Sequence, residues 1–180
     1  MHRAVRFLCA ALLLASAAAC VTFNIPAEYG LNPDSGKGLA VFSLTANDQP
    51  GNFTISYRSA GGETKGTVNL QTLRDPLDWR DPRGRLVVIE LPAGSYEFYD
   101  WAGLRGRSTE QFSIPFSIEP GKATYLGNVH FHVVSGVYGV RVGDRSSRDL
   151  PALFERYPNL QRDAVKTEIT KVGDAEIPTS

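Results

Sequence analysis

The sequence predicts a mostly β protein: an antiparallel two-sheet β-sandwich with one short C-terminal helix. Three observations predict it. Phe112, Ile114, Phe116 and Ile118 alternate with Ser113, Pro115, Ser117 and Glu119, giving one apolar and one wet strand face. Glu119-Pro120-Gly121-Lys122 then turns the chain, with proline presetting φ and glycine accepting positive φ, as in a type II turn. The same device recurs at Leu91-Pro92-Ala93-Gly94-Ser95, so both stretches are expected to be hairpins.

In chain order, residues 21–38 hold Pro26, Gly30, Pro33, Gly36 and Gly38 with little periodicity, and read as a spacer. Residues 39–44 are a short apolar run, the first strand. Phe53, Ile55 and Tyr57 alternate with Thr54, Ser56 and Arg58 in the second, and Gly61-Gly62 turns into a weaker third at residues 67–70. Residues 71–84 break the pattern with Asp75-Pro76 and Asp81-Pro82 and form a long loop. Residues 85–91 are almost continuously apolar, as in a strand covered on both faces. In residues 95–101, Tyr96 and Phe98 take one face, Tyr99 and Trp101 the other. A second loop, residues 102–110, precedes the central pair. After its turn, Tyr125, Val129, Phe131 and Val133 take one face, and Thr124, Asn128, His130 and His132 the other. Tyr138, Val140 and Val142 mark a further strand.

Leu150, Leu153, Phe154 and Tyr157 fall at i, i+3, i+4 and i+7, one helical stripe expected to seal an edge or end of the sheet. Asp149 or Ser147 suits its cap, Pro151 its first turn, and Pro158 stops it. Residues 165–170 alternate weakly as a last strand, and residues 173–180 form a disordered tail. About eight strands, mostly one turn apart, fit a sandwich of the immunoglobulin or transthyretin kind, with a closed barrel as the alternative. The sandwich domain is expected over residues 39–172.

The chain has 180 residues, 42% apolar and 21% charged, enough for one domain with a real core. Its formal charge is zero. Arg3 and Arg6 open a positive segment, residues 7–14 are apolar but too short to span a bilayer, and residues 15–19 are small. Cys20 follows. Removing residues 1–19 removes two arginines and no acid, leaving a net charge of −2, which argues against nucleic acid as a partner. Cys9 leaves with the leader, so Cys20 is the lone cysteine of the remaining chain and has no internal disulfide partner.

An apolar stretch, small residues and a cysteine resemble the signal of bacterial lipoproteins, although Ala17 stands where leucine is commonest. That resemblance implies a leader at residues 1–19, acyl chains (palmitate among them) on Cys20, and residues 20–38 as a lipidated tether. More than one acyl chain gives stable anchoring. Val21 stands where aspartate would retain the protein in the inner membrane, so the expected address is the periplasmic side of the outer membrane. Ordinary secretion after Ala17-Ala18-Ala19 is the alternative.

Leu91-Pro92-Ala93-Gly94-Ser95-Tyr96, Glu119-Pro120-Gly121-Lys122, Tyr125-Leu126-Gly127 and the helix end at Tyr157-Pro158 also resemble a family of bacterial lipoproteins. The domain of that family is similar to the transthyretin-like module of carboxypeptidase regulatory regions. The likeness spans residues 38–160. It implies an envelope-anchored β-sandwich to which no activity is attached.

His130 and His132, two apart on a strand, share a face and are weak candidates for a metal; no third ligand is marked, and the plain reading is two surface residues. Arg105 and Arg107 lie in one long loop, and Arg74, Arg80, Arg83 and Arg85 in or beside the other. Were the loops to meet, Arg80, Arg83, Arg105 and Arg107 could hold an anionic envelope polymer through the bidentate guanidinium fork. Trp79, Tyr99 and Trp101 are either core or a stacking surface. There is no Gly-x-Ser-x-Gly elbow and no phosphate-cradling glycine run, and the sequence marks no catalytic residue and no cofactor. The expected function is a lipid-anchored binding or structural module that is not an enzyme. It would meet an envelope protein or polymer through loops or an unprotected sheet edge. A small envelope hydrolase or metal-binding protein using His130 and His132 is the alternative.

Overall fold

Alternating side chains build two sheets that bury their apolar faces against each other. The computed structural model describes residues 21–47, 52–103, 106–109, 112–134 and 136–169, less the side chains of Val134 and Val137. The leader, Cys20, Arg105 and the expected tail lie outside the described residues.

The strands are β1 (Lys37–Ala46), β2 (Phe53–Ser59), β3 (Lys65–Asn69), β4 (Trp79–Arg80), β5 (Arg83–Pro92), β6 (Gly94–Gly103), β7 (Gly106–Arg107), β8 (Ile114–Ile118), β9 (Ala123–Val134), β10 (Val137–Gly143) and β11 (Val165–Thr167). Helix α1 spans Ser146–Arg156. One sheet has the order β10-β9-β1-β5-β4, with β11 also on β9. The other runs β3-β2-β6-β7, with β8 also on β6. Two packed sheets make this a sandwich rather than a barrel. Its core includes Phe42, Phe98, Trp101, Phe116 and Phe131, with Phe42 edge-on to Phe98 at 5.1 Å and Phe53 stacked on Phe131 at 4.2 Å.

Several local expectations change. Turns 91–95 and 119–122 are not hairpins. Each carries the chain from one sheet to the other, because β5 pairs β1 while β6 pairs β2, and β8 pairs β6 while β9 pairs β1. Gly121 does take positive φ (65°) as the turn chemistry requires. Entering β9 beside the start of β1 makes that pair parallel, as is β11 on β9, so the sandwich is not wholly antiparallel.

Two bulges reverse side-chain phase. Tyr99 is extra against β2, which turns Trp101 inward with Tyr96 and Phe98. Leu126 and Gly127 (φ 95°) lie opposite Phe42 alone, so Tyr125 faces away from Val129 and shares a side with Asn128 and His130. A one-residue slip moves every later side chain to the other face.

The helix covers the outer face of the first sheet, not an edge. Leu153, Tyr157 and Leu160 pack with Leu39, Val41, Leu86, Val88, Ala123 and Tyr125, while Leu150 and Phe154 flank them. The strand at residues 85–91 is therefore covered on both sides, as its composition predicts. Neither Asp149 nor Ser147 caps the helix; Asp144 Oδ1 accepts from Ser146 N at 2.8 Å, and Pro151 lies within the helix past its first turn.

The spacer expected at residues 20–38 is packed chain from its second residue. Val21 bridges Thr67, Thr22 N donates to Thr67 O at 2.8 Å, and Ile25 N donates to Val88 O at 3.0 Å. Ile25, Tyr29 and Leu31 lie on the outer core. This strap runs parallel beside β3 next to Gly66, where a Cβ would stand 2.5 Å from Tyr57 OH and 2.6 Å from Thr22 Oγ1.

Candidate functional site

Beyond its short pairing with β4, the outer edge of β5 offers free backbone groups. The strap and the loop at residues 71–84 satisfy those of Leu86 and Val88. Asn24 Nδ2 donates to Leu86 O at 3.0 Å, and Asn24 Oδ1 accepts from Val88 N at 2.9 Å. Asp78 Oδ2 accepts from Leu86 N at 2.6 Å. Side chains thus do the work of a strand, and this edge is not open for strand addition.

Arg85 joins strap, loop and both sheets. It is 1% exposed; its Nε donates to Asn69 O at 3.0 Å and its Nη1 to Asn24 Oδ1 at 3.2 Å, with Asp75 at 3.4 Å. Burial lowers its pKa, and Asp75 and Asp78 oppose that shift. Among the described residues Arg85 Nη2 has no hydrogen-bond partner. In front of this cluster opens a cleft of about 380 Å³, walled by Asn24, Pro26, Arg74, Asp75, Arg156 and Tyr157 among others. Its carboxylates are taken: Asp75 by Arg85 and by Asn24 N (3.3 Å), Asp78 by Leu86 N and Arg156.

Val21, Phe23 and Leu73 are the exposed large hydrophobic residues among those described, at 40%, 37% and 108%; Phe23 and Leu73 adjoin Asn24 and Arg74 of the cleft wall in sequence. Leu73 and Arg74 form the tip of a turn closed by Thr72 N to Asp75 O (3.0 Å) and Asp75 N to Thr72 Oγ1 (2.9 Å). The Arg74 guanidinium lies 5.0 Å from the centre of the Phe23 ring. Of the three, the sequence marks Val21 only by its place after Cys20; the signal for Phe23 and Leu73 is an aromatic and an aliphatic residue in segments otherwise polar or proline-rich.

A second polar cluster lies under α1. Asp149, fully buried, accepts at Oδ2 from Ser43 Oγ (2.6 Å) and Tyr125 OH (2.7 Å), and at Oδ1 from Arg148 Nε (2.8 Å). Asn128 Nδ2 donates to Ser43 Oγ at 2.9 Å, and Arg148 Nη2 donates to the same oxygen at 2.9 Å. Burial and Asp149 push the Tyr125 hydroxyl well above its ordinary pKa.

His130 belongs to this cluster. Its Nδ1 is 2.8 Å from Thr45 Oγ1, and burial, then Arg141, His132, Arg145 and Arg148, lower its pKa to about 4. The His132 ring is nearly parallel to it at 6.3 Å and overlies Gly139, where a Cβ would clash with the imidazole. The two rings do share a face, as predicted. Among the described residues no three His, Cys, Asp or Glu side chains stand close enough to share a metal ion.

The predicted arginine set is spread. Arg80 and Arg83 oppose each other across β4 and β5, while Arg107 lies on β7. All three are at the same end of the sandwich. However, β3 lies over β5 through Arg85 and Asn69, and β6 lies over β9 through Trp101 and Phe131, so β4 and β7 are at opposite edges. The aromatic trio is also dispersed: Trp101 is core, Trp79 lies under Arg148 at 3.9 Å, and Tyr99 lies under Arg58 at 4.5 Å.

No family model matches the chain. A 67-residue stretch is 39% identical to cadherin EGF LAG seven-pass G-type receptor 3 of Mus musculus and of Homo sapiens, covering 33% of this chain. The match spans 2% of those receptors. A leucine-rich repeat protein from Bacteroides thetaiotaomicron overlaps 54% of this chain and 14% of its own, with 14% identity and a TM-score of 0.31, too loose to carry an argument. Among the described residues no helix is long and apolar enough to cross a membrane.

Proposed function

We propose that the chain is a lipoprotein held to a bacterial envelope membrane by acyl chains on Cys20, with its β-sandwich serving as a binding or structural module. The observation that carries this reading is positional. A leader with a positive start, a short apolar run and small residues ends at Cys20, and the next residue, Val21, already bridges Thr67 of β3. Anchoring there holds the β3 flank of the domain at the lipid surface with no intervening spacer. The membrane is the partner through the lipid, and an envelope protein or anionic polymer is the partner of the module. Arg80 and Arg83 on one edge and Arg107 on the other suit an extended polymer better than a compact anion. The resemblance to transthyretin-like lipoproteins supports the same placement and brings no catalytic residue.

The test is the mass of the N-terminal peptide from the membrane-extracted protein. It should begin at Cys20 and carry acyl mass, and Cys20→Ala should move the protein to the aqueous fraction. A free thiol on a protein already in the aqueous fraction would sink the reading.

A further inference from the structure

We propose that Val21, Phe23 and Leu73 are the face on which the domain rests against the phospholipid bilayer, with Leu73 entering the headgroup boundary and Arg74 meeting a lipid phosphate. This deepens the anchoring reading and rests on it.

Four observations converge. The exposed large hydrophobic residues among those described are these three, and they lie on one flank, where strap and loop meet. Leu73 is at 108% exposure, with no apolar cover from its own fold. The turn beneath it is fixed by two hydrogen bonds within residues 72–75 and tied to the strap through Asp75 and Asn24 N. The loss of loop entropy on contact is therefore largely prepaid. Finally, Val21 directly follows Cys20, so acyl chains on that sulfur bring lipid to this flank first.

Charge complements the surface. Asp75 and Asp78 beside the patch are neutralised by Arg85 and Arg156, whereas Arg74 at its tip touches the Phe23 ring and has a water-facing position. Guanidinium binds phosphate bidentately. Moving one leucine side chain from water into hydrocarbon changes partitioning by roughly ten- to a hundredfold, and one arginine near an anionic surface by about fivefold. Neither holds a protein on a membrane alone. With acyl chains present they set its orientation, which fixes the ends and opposite flank of the sandwich toward the aqueous side.

The experiment uses the acylated full-length mature protein in vesicles of phosphatidylethanolamine and phosphatidylglycerol whose acyl chains carry bromine near the headgroup. Leu73→Trp adds an indole to the native Trp79 and Trp101. The expected result is bromine quenching of the added emission while wild-type emission is unchanged. Unquenched emission from a protein shown by mass to be acylated overturns the patch and leaves anchoring intact. So does a dimer that buries position 73 in place of lipid. An unmodified Cys20 overturns the anchoring reading and the patch with it.

Discussion

The two faces of the β10-β9-β1-β5-β4 sheet are covered in different ways. The inner face meets a second sheet, and its contacts are apolar: Phe42, Leu44, Val87, Ile89, Val129 and Phe131 against Tyr96, Phe98, Trp101 and Phe116. The outer face meets a helix and an irregular strap, which cannot mate with a pleated surface along their whole length. There the apolar patch around Val41, Val88, Leu153 and Tyr157 is bordered by Asp149 with Ser43 and Tyr125, and by Asn24 on the β5 edge. Sheet-on-sheet packing needs only shape; helix and strap are additionally pinned by directional bonds, which fix where they sit.

The difference predicts unequal responses. On the inner face, Phe98 touches Phe42 at 5.1 Å and Phe116 at 4.8 Å, so Phe98→Ala should cost about 3–5 kcal/mol through lost transfer energy and a cavity. Urea unfolding should show the loss as a lower midpoint of one transition, with every probe affected alike. A cost under about 1 kcal/mol would mean that the two sheets are not packed as described.

On the outer face, Asp149→Ala removes the acceptor for Ser43, Tyr125 and Arg148 at once, and should cost about 3 kcal/mol. The loss should be local first. Native-state hydrogen exchange should lose protection in residues 146–156 while β2 and β6 keep theirs. Uniform loss would show that the faces are one cooperative unit and remove the contrast.

Which parts of this were legible in the sequence follows from the range of each interaction. Residues 85–91 announced a doubly covered strand because continuous apolar composition has few other uses. The stripe from Leu150 to Tyr157 announced a helix with one buried face. The turns at 92–94 and 120–121 were also legible, but their destination was not. A proline-glycine turn reverses direction equally well within a sheet or between sheets, and the choice lies in pairings tens of residues away. The bulges at Tyr99 and Gly127 add one residue each without a distinctive signature, so the faces of Trp101 and Tyr125 were misassigned. The strap failed for a similar reason. Its prolines and glycines suggested a spacer, while the carboxamide of Asn24 that docks it meets partners at Leu86 and Val88. Of the candidate sites, the shared face of His130 and His132 was visible from spacing. The flank of Val21, Phe23 and Leu73 was not, because exposure of three scattered apolar residues is a property of the assembled fold.

The smallest effect at neutral pH is the most diagnostic of the outer face. Thr45 Oγ1 sits 2.8 Å from His130 Nδ1, and burial with Arg141, His132, Arg145 and Arg148 lowers the folded pKa to about 4 from 6.5. Between those values the unfolded chain binds a proton that the native state refuses. Stability from this group is therefore fully present above about pH 6.5, falls as pH drops through the window, and is level below about 4. The slope contributed is at most about 1.4 kcal/mol per pH unit. His130→Asn keeps an acceptor oxygen toward Thr45 and removes the titration. At pH 7 it should change stability by about 0.5 kcal/mol or less, in line with a polar replacement that retains its bond. The difference between wild type and variant should then shift in the variant's favour from pH 6.5 to 4. Parallel stability curves across that window would mean that His130 is as open to solvent in the folded protein as in the unfolded one, and that the polar border of the outer face does not extend to β9 at that level.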